Sequence, residues 1–589
     1  MKTTPSVLFF LLAFVFAPMH AHAAGEEVIT LDTLTVSTKR HDWRYTRSEH
    51  FEILSAVDYS KLVSRIMQRA EQIIGTFEKN NPLFRMQREL PAKIIFINDQ
   101  GIDRYLVLTG KEDLQHAYDR SPMGVSMDRV SSESAKQTSM RGFHDGEQAV
   151  FLKLITQAYL DADTSFEERV TENAIDIALN HLLMCVKIQT GHDSPPWLAT
   201  ALNGLRGHSG GFGQAHLVDS FESPIYKYTR STPPHAYRPA WFSIDDHEMI
   251  FGRYCISCET NLLRNASDYP RGTDKKTVAL QKKIWRNYAL APNASLGEFL
   301  EPRSRKTRHD RHAIANIQAS LITTRETRDF MYYCTFMADD KTRAAFARFV
   351  VHTEKQQTNE SVFKECFGVD YDAFRTRMYD SFKEIARKDS DYSRNPWGPP
   401  DIVVAKFNRK DIPPVPKLRP SRRSETARIL SDWFVLCGER DIANQVLLKA
   451  SEASTQARND PEFVAAFGLS EAAHGRKHSA VAMLEKAMAS KQVVRPEAWR
   501  TLSRLRLENL LELKGEKHRL TKDELNTVIE PLAEALKQNG ASQQTYVQFA
   551  QVWTHTDVKL PKEYLDMLAA RVRAWPENEE LRKVIEKIR

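Results

Sequence analysis

A serine set between glycines is the first feature of this sequence whose spacing suggests chemistry. Residues 207–211 read GHSGG, the G-x-S-x-G pattern that exposes a nucleophilic serine between a strand and a helix. Here a predicted helix precedes Ser209, and Asp245, Asp246 and His247 follow too soon to supply the usual acid and histidine. A glycine-rich loop explains the segment better, and a serine hydrolase using Ser209 stays an alternative.

Two of the six cysteines lie close together in the sequence. Cys255 and Cys258 form a C-x-x-C pair. Redox catalysis by such a pair requires a helix start beside a βαβ unit, which the flanking sequence does not predict. A zinc finger would require a second Cys or His pair at suitable spacing. We therefore expect a local disulfide, or two structural thiols, at Cys255 and Cys258.

The most informative stretch runs from Glu167 to Gly204 and predicts a long helix followed by a short one. The sequence of this stretch is EERVTENAIDIALNHLLMCVKIQTGHDSPPWLATALNG. It resembles the active-site region of gluzincin zinc peptidases, the peptidase-MA-like group. In that family a helix carries H-E-x-x-H, and a downstream P-x-W-L-x-E-G segment supplies the third ligand. The histidines bind Zn²⁺, and the first glutamate accepts a proton from the metal-bound water.

The groups that this chemistry requires are missing at the matching positions. Ile177 replaces the first histidine, Ala178 the catalytic glutamate and Thr200 the downstream glutamate, and only His181 is kept. One imidazole cannot replace three protein ligands, and a methyl group cannot accept a proton. The resemblance therefore implies an inactive metallopeptidase homologue with no catalytic residues, no zinc and no other cofactor.

A metallopeptidase with rebuilt ligands is the other alternative. Glu172 and Asp176 are nearby carboxylates, but their helical positions point away from Thr200. We expect His181 to be a buried or rim histidine satisfied by hydrogen bonds instead, because its helical stripe reads as ordinary core. That stripe holds Val170, Ala174, Ile177, His181 and Cys185.

The strands and helices that must position the helix of His181 are predicted to form an α+β domain over residues 49–290. Strands are predicted at 50–55 (HFEILS), 93–98 (KIIFIN) and 147–154 (EQAVFLKL). The strand, helix and strand at the start resemble the N-terminal half of the gluzincin family, and a helical subdomain predicted at 291–392 resembles its helical tail. The amphipathic helix between the first two strands is indicated by Tyr59, Leu62, Ile66, Ala70, Ile73 and Phe77.

The C-terminal part predicts a helical solenoid over residues 424–589. A proline-rich stretch at 393–423 precedes it and is interpreted as a semi-rigid linker. The pattern of residues 438–450 recurs at 475–487, an offset of 37 residues. This resembles tetratricopeptide repeats, whose concave surfaces bind proteins or peptides.

The start of the chain predicts export. An apolar run of about eleven residues at 7–17, followed by Ala21-His22-Ala23, indicates a signal peptide at 1–23. We expect a periplasmic or secreted protein without a membrane-spanning helix. Residues 24–48 read as an extended arm, in which the segment 32–36 (DTLTV) resembles a TonB box.

Composition and charge indicate a globular protein that does not bind nucleic acid. Hydrophobic residues make up 42% and charged residues 27%, as in ordinary folded domains. The net charge is only +7, and the basic clusters at 303–308 and 419–423 lack interleaved aromatic residues. We therefore predict an exported pseudopeptidase that binds a protein or peptide, through its helical repeats or its vestigial cleft, as a scaffold of the cell envelope.

Overall fold

The computed structural model describes most of the predicted elements. The signal peptide, residues 24–42 of the arm, Ser209 and the Cys255–Cys258 pair lie outside the described residues, so the predictions made for them stay predictions. The described residues are 43–57, 59–84, 91–98, 140–144, 148–155, 166–190, 194–205, 242–244, 247–251, 296, 300, 327–352, 358–388, 402–436, 438–538, 542–574 and 578–588.

Two sheets are present among these residues. Six strands form a mixed sheet in the order β4-β5-β3-β2-β1-β9, in which β2, β3 and β5 are parallel, and three strands form an antiparallel sheet in the order β6-β7-β8. The strands are β1 (Arg44–Arg47), β2 (Phe51–Ser55), β3 (Ala92–Asn98), β4 (Met140–His144), β5 (Ala149–Ile155), β6 (Phe242–Ile244), β7 (Glu248–Phe251), β8 (Ile402–Lys406) and β9 (Arg419–Pro420).

One face of the larger sheet is covered by two long helices, α1 (Ser60–Asn80) and α2 (Phe166–Thr190). Successive side chains in a strand point to opposite faces, so every second residue of β2 and β3 reaches these helices. The residues that do so are Phe51, Ile53, Ile94 and Phe96, all fully buried. The predicted apolar stripe of α1 faces them, and from Leu62 to Phe77 it is at most 3% exposed.

A short helix and a helical subdomain complete this side of the molecule. The short helix is α3 (Pro196–Leu205). In the subdomain, residues 327–332 are helical and run into a π-helical turn at Tyr333–Met337. It continues with α4 (Asp340–His352), α5 (Glu360–Phe367) and α6 (Tyr371–Lys388). The predicted helical character of this region is confirmed where the structure describes it.

The C-terminal part is an array of helices, as predicted at this coarse level. None of the helices that the structure describes is long and apolar enough to cross a membrane. The array consists of α7 (Arg423–Leu436), α8 (Arg440–Ala453), α9 (Thr455–Arg458), α10 (Pro461–Ala473), α11 (Lys477–Ala489), α12 (Pro496–Lys514), α13 (Lys522–Lys537), α14 (Gln543–Trp553), α15 (Lys562–Ala574) and α16 (Glu579–Ile588).

The repeated sequence pattern corresponds to a repeated helical hairpin. Gly438 lies between α7 and α8 with φ 92°, and Gly475 lies between α10 and α11 with φ 73°. Both angles fall in the left-handed region that glycine adopts without a steric penalty. The small residues Ala443 and Ala480 occupy matching, fully buried positions in the second helix of each hairpin.

A glycine in the first helix of the second hairpin allows its two helices to approach closely. A Cβ atom at Gly468 would lie 2.9 Å from Cγ of Leu484 on α11. We therefore expect Gly468→Ala to lower the free energy of unfolding by about 1–3 kcal/mol, because this clash outweighs the gain in helix propensity.

Gly75 provides the matched control for this substitution. It is exposed near the end of α1, and a Cβ atom there meets nothing within 4 Å. Gly75→Ala is expected to raise the free energy of unfolding by about 0.5–1 kcal/mol. Urea denaturation of both variants, followed by circular dichroism, measures the two effects, and equal shifts in the same direction would refute the close approach.

The other face of the larger sheet packs against the helical array. Leu54, Ile95 and Val150 share one buried cluster with residues of α7, α8 and α10. The sheet and the array are therefore joined by a common hydrophobic core, although the sequence predicts them as separate domains. The domain boundaries themselves stay predictions.

Two segments predicted as connecting chain are packed against this body. In the proline-rich stretch 393–423, β8 pairs with β7, β9 pairs with β1, and Pro413 accepts a hydrogen bond from Nε2 of Gln68 at 2.7 Å. These contacts fix part of the predicted linker to the fold. A proline can lie in β9 because β9 is an edge strand, where proline is tolerated. The end of the predicted arm is fixed as well, since β1 belongs to the sheet and Trp43 is 6% exposed.

Candidate functional site

Helix α2 carries the positions that match the zinc-binding helix, and the structure places them in the protein interior. Ile177 and Ala178 are both fully buried and belong to the core between the sheet and its covering helices. The helix spans Phe166–Thr190, in agreement with the long helix predicted from the sequence. The predicted core stripe of α2 is confirmed: Val170, Ala174, Ile177, His181 and Cys185 are all 0% exposed.

His181, the retained histidine, is enclosed by rings. Its centroid lies 4.9 Å from that of Phe51 on β2 and 5.4 Å from that of His50. Of the two positions expected for His181, buried or at the rim, the structure has the buried one, with 0% exposure. An imidazole in contact with a phenyl ring inside a core packs as an aromatic side chain does.

Thr200 lies half-buried on α3, whose position is fixed by an aromatic cluster. Trp197 on the same helix packs against Phe330 and Phe349, with ring centroids 5.7 and 5.9 Å apart. The Pro-x-Trp-Leu segment that resembles the family motif therefore anchors α3 to the helical subdomain. This packing gives Trp197 a structural role that requires no catalytic chemistry.

The residues at the family's ligand positions do not fit zinc. Ile177 offers no electron pair, and Thr200 offers a hydroxyl in place of the carboxylate that such sites use. Asp176 is engaged elsewhere, because Nζ of Lys153 on β5 donates to its carboxylate at 2.7 Å and both side chains are largely buried. No catalytic step can be derived through a metal held at these positions.

Comparisons with known proteins add no identification. The chain matches no known protein family, no curated protein and no solved structure. The resemblances to gluzincin peptidases and to tetratricopeptide repeats therefore stay proposals that rest on the residues named above.

A charged cluster that the sequence did not indicate lies beside His181. His50, just before β2, contacts Glu71 of α1 through Nδ1 and Glu78 of the same helix through Nε2, the latter at 3.1 Å. Glu71 also accepts a hydrogen bond from the backbone N–H of His50 at 3.1 Å. The two glutamates are two helical turns apart, so a pair of acidic residues spaced seven apart beside an apolar stripe was the available signal.

The cluster holds His50 in its charged form. Burial opposes the charge, but the hydrogen bonds and the attraction of Glu71 and Glu78 outweigh it and raise the pKa of His50 to about 10. An imidazolium that donates from both ring nitrogens has no lone pair for a metal ion. Glu49, His50 and Glu71 do bring three potential ligand atoms within 4.8 Å of one another, so His50 must lose a proton before a cation can bind there.

This cluster makes a pH-dependent contribution to stability. The folded-state pKa of His50 is about 10, against 6.5 for an ordinary histidine, so the contribution is complete below pH 6.5 and is lost as the pH rises towards 10. We expect the wild type to exceed His50→Gln in free energy of unfolding by on the order of a few kcal/mol at pH 6, and by much less at pH 10.

Urea denaturation across this pH range measures the difference, with His478→Gln as the control at an exposed position of the array. A wild-type advantage over His50→Gln that stays constant from pH 6 to pH 10 would show that His50 is not held as an imidazolium.

Proposed function

We propose that this protein is an exported, non-catalytic relative of gluzincin peptidases that acts by binding a protein or peptide partner in the cell envelope. The observation that carries the proposal is the complete burial of Ile177 and Ala178. In an active site these positions would face water and substrate. Here both side chains are apolar members of the buried core formed by the sheet and its covering helices.

The physical argument concerns solvent access as well as ligand count. A hydrolase must bring a water molecule, a base and the scissile carbonyl together within hydrogen-bonding distance. Ala178, at the position of the base, is fully buried and has no proton acceptor. The packing therefore supports a structural role for α2. With no catalytic role for this helix, the function that we propose for the molecule is binding.

The helical array supports the binding role. It consists of successive hairpins, an architecture whose extended surfaces suit protein recognition. The shared core with the sheet gives that surface a rigid base. We propose that the sheet domain orients the array and that the array contacts the partner.

One experiment tests this proposal against both hydrolase alternatives. The purified mature chain is incubated with denatured casein, with and without added zinc, beside His181→Ala and Ser209→Ala. We expect intact casein in every sample. Cleavage that disappears in His181→Ala would establish a rebuilt metallopeptidase, and cleavage that disappears in Ser209→Ala would establish a serine hydrolase.

A further inference from the structure

A groove opens between three helices near the end of the array. Its walls come from α12, α14, the turn after α14, and α16, and its volume is about 320 Å³. This volume is at the lower end of the range of about 300–1,000 Å³ seen for ligand sites. The groove is lined by Arg504, Leu507, Gln548, Gln551, Val552, Thr554, His555, Val584 and Lys587.

The charge of this lining has one sign. Arg504 projects from α12 and Lys587 from the last turn of α16, and the lining that the described residues provide contains no carboxylate. Arg504 donates one hydrogen bond to Glu508 at 2.6 Å and is 48% exposed. A guanidinium has five N–H donors, so Arg504 keeps donors for a ligand.

The remaining lining combines an apolar floor with hydrogen-bonding groups. Leu507, Val552 and Val584 supply the apolar part. Gln548 is oriented by its bond to the backbone oxygen of Arg500, and Gln551 by its bond to Glu580. A side-chain amide has donors and acceptors beyond one such bond, and these match the alternating groups of a peptide backbone.

We propose that this groove binds an acidic segment of an extended peptide, with Arg504 and Lys587 contacting its carboxylates. The inference rests on the proposed binding function and specifies the chemistry of the partner. The surface of a lipid bilayer cannot enter a groove between helices. Single-stranded nucleic acid is typically bound by stacking of successive bases on aromatic side chains, and the described residues of the groove lining include no Phe, Tyr or Trp. The mixture of cationic, amide and apolar groups fits an acidic peptide.

The groove also predicts how binding responds to salt. Arg504 and Lys587 are exposed to solvent, so their attraction for a carboxylate is screened as ionic strength rises. Contacts of Leu507, Val552 and Val584 with an apolar peptide side chain are not screened in this way. Binding should therefore weaken with salt without disappearing.

The test is a selection of random dodecapeptides displayed on phage against the full mature chain, followed by fluorescence polarisation with the synthetic consensus peptide. We expect the selected peptides to be enriched in Asp and Glu. Arg504→Gln and Lys587→Gln should each weaken binding by about tenfold or more, since a charge-assisted hydrogen bond is lost.

Lys583→Gln is the matched control, because Lys583 lies one turn before Lys587 on α16, is 70% exposed and pairs with Glu579 instead of lining the groove. Its affinity should equal that of the wild type. Binding of an amidated consensus peptide distinguishes side-chain carboxylates from a terminal carboxylate as the recognised group.

Three outcomes would overturn the inference: no selected peptides, a consensus without acidic residues, or equal affinities of Lys587→Gln and Lys583→Gln. The last two would leave the proposed binding function standing and place the binding surface elsewhere. Cleavage of casein, in contrast, would overturn the proposed function without affecting the groove.

Discussion

Arg428→Met is expected to lower the free energy of unfolding by about 3–5 kcal/mol, because it leaves a buried carboxylate without its counter-charge. Arg428 of α7 donates two hydrogen bonds to Glu52 of β2, at 2.9 and 2.6 Å, across the boundary between array and sheet. The hydroxyl of Tyr45 donates to the same carboxylate at 2.7 Å. Both ionic side chains are at most 10% exposed.

A second buried ion pair at this boundary extends the network. Nζ of Lys93 on β3 lies 2.5 Å from the carboxylate of Asp432 on α7, and Arg495 contacts the same carboxylate at 2.7 Å. Burial disfavours the charged forms, but Arg428 and its neighbours outweigh this and lower the pKa of Glu52 to about 2. The contribution of Glu52 therefore persists above the ordinary glutamate pKa of 4.5 and is lost only as the pH falls towards 2.

Hydrogen-exchange mass spectrometry shows where the loss of Arg428 is felt. We expect peptides from both β2 and α10 to exchange faster in Arg428→Met, because the sheet and the array share one core. Arg440→Met, at an exposed position of α8, is the control and should leave exchange unchanged. Faster exchange confined to the array would show that the two parts unfold separately.

Ala178→Glu is the substitution with the second large expected effect. It restores the family's catalytic residue at a position that is 0% exposed. A carboxylate there would be enclosed by the hydrophobic core around Ala178, so we expect the free energy of unfolding to fall by about 3–5 kcal/mol. Urea denaturation followed by circular dichroism, with and without added zinc, measures the change.

The control for this variant lies on the same helix. Thr171→Glu places the same side chain at a half-buried position near the start of α2 and should change stability by less than about 1 kcal/mol. Zinc should rescue neither protein. If Ala178→Glu were as stable as Thr171→Glu, position 178 would line an open cleft and the structural account of α2 would be wrong.

Local features of the fold could be predicted because they depend on neighbouring residues. The burial of the α2 stripe from Val170 to Cys185 follows from helical periodicity. The repeated hairpin follows from Gly438 and Gly475, whose positive φ angles require glycine at matching positions. Each of these signals is contained within a few turns of chain.

The features that were missed depend on contacts between distant parts of the chain. Glu52 and Arg428 are 376 residues apart, and a glutamate in a short strand normally indicates a solvent face. The pairing of β9 with β1 likewise joins a proline-rich stretch to the N-terminal part of the chain. The His50 cluster spans a shorter stretch of chain, but it also depends on tertiary packing, because His50 and Glu71 come together only when α1 packs beside β2.

The zinc content of the purified mature chain, measured by mass spectrometry beside His181→Ala and His50→Gln, tests the central claim most directly. Our account predicts that His181→Ala has the same zinc content as the wild type, since Ile177, Ala178 and Thr200 supply no further ligands beside His181. Zinc lost only in His50→Gln would indicate a site at Glu49, His50 and Glu71. One zinc per chain that is lost in His181→Ala would contradict the non-catalytic account.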